Sequence, residues 1–184
     1  MRALCLFCGS SSGVRPEYLR AARGVGTWLA ERKVTLVYGG GQVGMMGAAA
    51  DAALAAGGRV IGVIPQALVD RELAHRGVTE LRVVGSMHER KALMADLSDG
   101  FLALPGGIGT FEELFEIWTW SQLGLQRKAC AVLNVAGYYD PLLRLIEHAV
   151  TEGFLSLKDR TRLLAGKDPQ RLLEKLARSS GPAT

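Results

Sequence analysis

Pro105-Gly106-Gly107-Ile108-Gly109-Thr110-Phe111-Glu112-Glu113 puts a glycine loop, a hydroxyl and two carboxylates together where a helix should begin. Bare amides at a helix N-terminus bind anions, phosphate above all, and a carboxylate beside them can act as a base or stabilise a developing cation. A plainer reading uses the same residues. Thr110-Phe111-Glu112-Glu113 has the S/T-x-x-E form of a capping box, in which Glu113 would only tie back to the backbone of Thr110. Glutamine would cap nearly as well but could not serve as a carboxylate base.

The second position of interest is Arg90. Met87, Arg90, Met94 and Leu97 fall at helical spacing on one face, so Arg90 interrupts an apolar stripe. A guanidinium there wants an anion or an acceptor; the alternative is a side chain snorkelling from the first turn of a helix. Two further glycine loops, Gly9-Ser10-Ser11-Ser12 and Gly39-Gly40-Gly41-Gln42-Val43-Gly44, follow strand-like runs. Gly39, Gly41 and Gly44 satisfy G-x-G-x-x-G, yet the next strand ends Val63-Ile64-Pro65-Gln66, with no acid to hold a ribose. No Lys-Ser or Lys-Thr follows any of the loops, which excludes a Walker P-loop. Cys5-Leu6-Phe7-Cys8 has no second pair and reads as buried strand thiols, and His75, His88 and His148 stand isolated. No metal and no cofactor are expected.

The elements that must carry these residues alternate. Strand-like runs cover Ala3 to Cys8, Val34 to Tyr38, Val60 to Ile64, Glu80 to Val84, Phe101 to Leu104 and Ala129 to Asn134. Helical patterns cover Pro16 to Arg32, Val43 to Ala56, Met87 to Leu97, Phe111 to Leu123, Tyr139 to Glu152 and Pro169 to Arg178. Such alternation predicts an α/β, Rossmann-like, doubly wound and mostly parallel sheet with helices on both faces. Ligands bind there beyond the carboxyl ends of the strands, where all three glycine loops fall. One domain is expected over residues 1–178, with a disordered tail over 179–184. Phe111, Leu114, Phe115 and Trp118 form a core stripe in this reading, while Trp120, two residues on, faces a subunit contact or the pocket.

Composition sets the bounds. The chain has 184 residues, 48% apolar and 22% charged, enough for a core without staples. Its 23 glycines are about one in eight, well above the usual share of about 7%, and so the excess must sit at turns, at close packing or where backbone meets a ligand. A net charge of +4 with no basic run argues against nucleic acid, the apolar stretches are too broken for a membrane helix, and three cysteines, an odd number, fit a reducing cytoplasm.

Taken together, the P-G-G-x-G-T-x-x-E run at Pro105 to Glu113, Met87-His88-Glu89-Arg90-Lys91, Cys8-Gly9-Ser10-Ser11 and the Gly39 to Gly47 loop resemble the Lonely Guy family of cytokinin riboside 5'-monophosphate phosphoribohydrolases. The resemblance covers nearly the whole chain. It implies a homodimer that hydrolyses the N-glycosidic bond of a purine nucleoside 5'-monophosphate to free base and ribose 5-phosphate. By the resemblance, Arg90 and Glu113 would be catalytic. The substrate would be held by Gly9, Ser10, Gly40, Gly41, Glu72, Arg90, Lys91, Gly106, Gly107, Ile108, Gly109, Thr110, Phe111, Glu112, Glu113 and Thr119. A non-catalytic nucleotide or molybdenum-cofactor carrier is the competing expectation, because such carriers resemble this fold and also use glycine loops.

Overall fold

A computed structural model describes residues 1–71 and 73–179. Glu72 and residues 180–184 lie outside the described residues, and with them most of the expected tail; Ser179 ends the last helix. Parallel strands covered on both faces read as unbroken apolar runs. Ala3–Phe7 (β1), Thr35–Tyr38 (β2), Val60–Pro65 (β3), Glu80–Val84 (β4), Gly100–Ala103 (β5) and Ala129–Leu133 (β6) stand where those runs were expected. A further strand, Leu163–Gly166 (β7), was not expected: its four residues follow a run of charged side chains and cover the sheet edge beside β6.

Among the described residues all seven strands join one sheet in the order β4-β3-β2-β1-β5-β6-β7, and every neighbouring pair is parallel. The order reverses between β1 and β5, so the connections after these two strands leave to opposite faces and open a crevice at their carboxyl ends. Gly9-Ser10-Ser11 and Pro105-Gly106-Gly107 flank that crevice, clasped by Gly9 N–H donating to the Pro105 carbonyl at 3.1 Å.

The strand period of two divides the core. Leu4 and Leu6 face one side with Val25 and Leu29 of Pro16–Glu31 (α1), Met45 and Ala49 of Gly44–Ala55 (α2), and Leu172 and Leu176 of Pro169–Ser179 (α8). Cys5 and Phe7 face the other side with Met94 of Met87–Asp96 (α4), Leu114 and Trp118 of Ile108–Gln122 (α5), and Ile146 of Asp140–Thr151 (α6). Gln66–Val69 (α3) and Leu157–Arg160 (α7) are single turns, too short for a helical period to be read.

Candidate functional site

Strand carboxyl ends and helix N-termini meet in one cavity of about 380 Å³. Gly9 and Ser10 after β1, Gly39 and Gly41 after β2, Ile64 of β3, Arg90 of α4 and Gly107 to Thr110 with Glu113 of α5 all line it. The two helix N-termini near it differ in what they offer. The Gly9 carbonyl accepts from Met45 N–H at 3.0 Å and Met46 N–H at 3.3 Å, so the start of α2 is already capped by backbone. In α5, Gly107 is the N-cap and supplies no capping side chain. Its first turn, Ile108-Gly109-Thr110, forms the cavity wall, the arrangement that leaves early helix amides available to an anion.

This start lies three residues before the expected one at Phe111, because a glycine in the first turn hides the boundary in the sequence. The shift decides the capping-box question. Thr110 is the third helical residue rather than the cap, and Glu113 is the sixth, beyond reach of any capping role. Its carboxylate instead approaches Arg90, Nη1 to Oε1 3.5 Å, with both side chains almost wholly buried. Burial pushes the Glu113 carboxyl up from 4.5 to about 7; the Arg90 charge opposes this, and Glu112 adds to it.

Arg90 does not snorkel. Its Nε donates to the Val63 carbonyl at 3.1 Å and its Nη2 to the Gly39 carbonyl at 3.1 Å, so the ends of β2 and β3 fix the guanidinium plane. Gly39 is needed for this: a Cβ there would sit 1.8 Å from Arg90 Nη2. Gly44 likewise combines φ +65 with an approach in which a Cβ would lie 2.3 Å from the Ser10 carbonyl carbon, letting α2 seat against the β1 loop. The core stripe around Arg90 is narrower than expected, since Met87 at its start is 44% exposed while Met94 is buried.

Of the residues singled out in the sequence, Gly9, Ser10, Gly41, Arg90, Gly107, Ile108, Gly109, Thr110 and Glu113 share the cavity. Gly106 lines an adjoining recess with Tyr18 and Tyr138, and the Tyr138 hydroxyl donates to its carbonyl. Gly40, Phe111, Glu112 and Lys91 do not line the cavity. Gly40 carries φ +74 behind the loop, Phe111 packs on Tyr138 and Tyr139, and Lys91 bonds to Glu112. Thr119 lies farther along α5 in a separate groove with Phe115 and Trp118. Phe115 is exposed, not core, because α5 turns that edge away from the sheet; Trp120 is half-buried against the core.

Sequence reasoning missed the apolar half of the cavity, Val43, Met46, Leu68 and Leu73, whose residue types carry no chemical signal. It also took His75 as isolated. His75 is buried, with Nε2 2.9 Å from Asp51 Oδ1 and Nδ1 accepting from Gly77 N–H. Its own N–H donates to the Gly40 carbonyl at 2.8 Å and Gln42 N–H donates to Leu73, which straps residues 73–75 onto the β2 loop. His88 is exposed. All three cysteines are free and buried. Among the described residues there is no cluster of three or more histidine, cysteine or carboxylate groups placed to hold a metal, and no helix long and apolar enough to cross a membrane.

Comparison with known proteins accords with this geometry. A family model described as "Possible lysine decarboxylase" matches residues 46–176. The cytokinin riboside 5'-monophosphate phosphoribohydrolase of Rhodococcoides fascians is 52% identical over 168 residues, 91% of this chain and 85% of that protein. One of the same name from Arabidopsis thaliana is 47% identical over 175 residues, 95% of this chain and 81% of its own. Among solved structures, the molybdenum cofactor binding protein of Rippkaea orientalis aligns with a TM-score of 0.73 over 97% of both chains; at 21% identity this shows a common fold. With the family model spanning most of its length and relatives at such identity, the chain belongs to the Lonely Guy family of cytokinin riboside 5'-monophosphate phosphoribohydrolases, the family also described as possible lysine decarboxylases.

Proposed function

We propose that this protein hydrolyses the N-glycosidic bond of a purine nucleoside 5'-monophosphate, adenosine or a cytokinin-type riboside, releasing the free base and ribose 5-phosphate. The observation that carries this reading is a buried carboxylate, Glu113, set beside a backbone-fixed arginine and about one and a half helix turns from an N-terminus with no capping side chain. The phosphate would sit on the first turn of α5, Gly107 to Thr110, where the helix dipole and free amides favour an anion.

Breaking the bond between C1' and the base nitrogen leaves the electron pair on the base and builds positive charge on the ribose. Glu113, as a carboxylate, would stabilise that charge and take the proton of the water that bonds to C1'. The departing base takes up one proton, and Glu113 gives up the one it took from water, through solvent, so that one water is added across the bond and the carboxylate is regenerated. Arg90 stays charged at neutral pH and does not act as the acid; it would orient the substrate and offset negative charge on the phosphate or the departing base. Gly9, Ser10 and Gly41, which share the cavity, would add to the hold on the nucleotide, and Glu72 would hold the base or ribose.

The test is to incubate the protein with AMP and with N6-isopentenyl adenosine monophosphate and to assay base and ribose 5-phosphate. Release from either supports the enzyme; tight binding without release from any purine monophosphate supports a carrier. Because Glu113 must be ionised and its carboxyl is raised to about 7, kcat/KM should rise roughly tenfold per pH unit below 7 and level off above it. The second ionisation of a phosphate monoester, near pH ~6, lies about one unit lower and is separable in the profile.

We propose further that the protein is a cytoplasmic homodimer that binds no nucleic acid. Phe115 and Leu145 stand exposed along the groove between α5 and α6, and Phe154 and Leu157 stand exposed in the segment that follows α6, apolar surface of the kind that subunit contacts cover. Sedimentation should give twice the 19.7 kDa chain mass; a monomer at micromolar concentration would overturn this.

A further inference from the structure

Lys91 follows Arg90 on α4 but does not line the cavity. Its side chain is only 10% exposed, and its ammonium is already engaged: Nζ lies 2.5 Å from Glu112 Oε1, in a hydrogen bond, and 2.9 Å from Glu116 Oε2, in an ion pair off the hydrogen-bond line. Both carboxylates project from α5 on either side of Glu113 in sequence. Burial works against the Lys91 charge, and the two neighbouring carboxylates, Glu112 and Glu116, together outweigh it, holding its pKa above the ordinary value. A lysine held this way is not free to grip a phosphate.

We propose that Lys91 is a positioning residue that neutralises Glu112 and Glu116, so that Glu113 can ionise at neutral pH, and that its ammonium does not contact the substrate phosphate. The charge pattern around Glu113 supports this. Two cations, Arg90 and Lys91, face it from α4, and two anions, Glu112 and Glu116, flank it on its own helix. The thiols of Cys5 in β1 and of Cys8 just after it complete the surroundings and are kept protonated by burial. With Lys91 in place the four charges cancel. Without it, Glu113 would have to ionise beside two unneutralised carboxylates, each acting against its charge. Lys91 also ties α4 to the second and third turns of α5 and thereby fixes the distance from Arg90 to Glu113.

The inference deepens the proposed reaction and rests on that reading for its kinetic arm; a second arm reads Glu113 directly. In carboxyl-13C-glutamate protein, the Glu113 resonance, identified by its absence in Glu113→Gln, is titrated in wild type, K91M, E116Q and K91M/E116Q. Removing the cation should raise the Glu113 midpoint by about one pH unit. Removing one anion, in E116Q, should lower it, and the double variant should return it towards wild type. The acid limb of kcat/KM should move in the same directions. The preference for a nucleoside monophosphate over the unphosphorylated nucleoside should stay the same in K91M above its limb. Should K91M fail to fold, E116Q alone still decides: an unmoved Glu113 midpoint overturns the inference. So does a K91M whose loss is confined to the phosphorylated substrate, independent of pH and not rescued by E116Q, because that pattern marks a phosphate ligand. If wild type releases no base at all, the proposed reaction fails, while the NMR titration still tests the coupling.

Discussion

Glu113→Gln should release base about a thousandfold more slowly or worse and should be more stable than wild type at pH 8. The two effects have one cause. Glutamine keeps the size of the side chain and its approach to Arg90 but can neither take a proton from water nor oppose positive charge on the ribose. The stability gain follows from linkage. Glu113 has a folded-state pKa near 7, raised chiefly by burial from 4.5, so between these values the folded state holds a proton that the unfolded chain has lost. Stability contributed by this group therefore falls as pH rises from about 4.5 to 7, by up to about 3 kcal/mol, and stays lowered above. A glutamine cannot ionise, so its unfolding curve lacks this fall. Urea denaturation at pH 5 and pH 8 should show the variant gaining on wild type at the higher pH. A variant that retains full activity would remove Glu113 from the chemistry, and one that loses activity together with its fold would leave the stability half of the prediction wrong.

The order and type of the long elements were readable because each has its own period. A parallel sheet covered on both sides shows as plain apolar runs, and α1, α6 and α8 show as three- and four-residue spacing. Short elements were not readable. β7 has four residues with a glycine at its end, and α3 and α7 are single turns held by tertiary contact rather than by any repeat. The topological reversal between β1 and β5, which opens the crevice, is a property of strand order and leaves no mark in the residues of either strand.

At the site, glycines and charged residues were legible and their partners were not. Gly39 read as part of a possible dinucleotide fingerprint; its physical reason is Arg90, 51 positions away, whose guanidinium fills the space of its missing Cβ. The β2 and α5 loops both looked suited to phosphate, yet α2 is capped by the Gly9 carbonyl, and the start of α5 has no capping side chain. Sequence can list such donors but cannot show which have been taken. Lys91 differs from Arg90 by one position and hence by about 100° around the helix, which separates a side chain facing the cavity from one committed to Glu112 and Glu116.

Arg90 is the place where that dependence on distant partners can be tested most sharply. Arg90→Lys should lower kcat/KM by about a hundredfold to a thousandfold although the charge is conserved. Of the five guanidinium N–H groups, one on Nε goes to Val63 and one on Nη2 to Gly39. Of the other three, one on Nη1 donates to the Met87 sulfur at 3.9 Å, while the second on Nη1, which lies 3.5 Å from Glu113, and the remaining one on Nη2 are left to the carboxylate and a bound anion. An ammonium is a single point on a flexible stem. It can reach one strand end or the carboxylate but cannot span both carbonyls and still present donors to the cavity. Arg90→Met goes further, leaving two buried carbonyls without their donor and Glu113 without its counter-charge. It should lose about 3 kcal/mol of stability at pH 8, where Glu113 is charged, and less at pH 5, where it is not. In both variants the acid limb of any residual activity separates the two duties. Arg90→Met should push it above 7 because the charge that favoured the carboxylate is gone, whereas Arg90→Lys should leave it close to 7 while the rate falls. An Arg90→Lys protein with wild-type kcat/KM would mean that only the charge matters, and the backbone-fixed geometry would then have no part in the reaction.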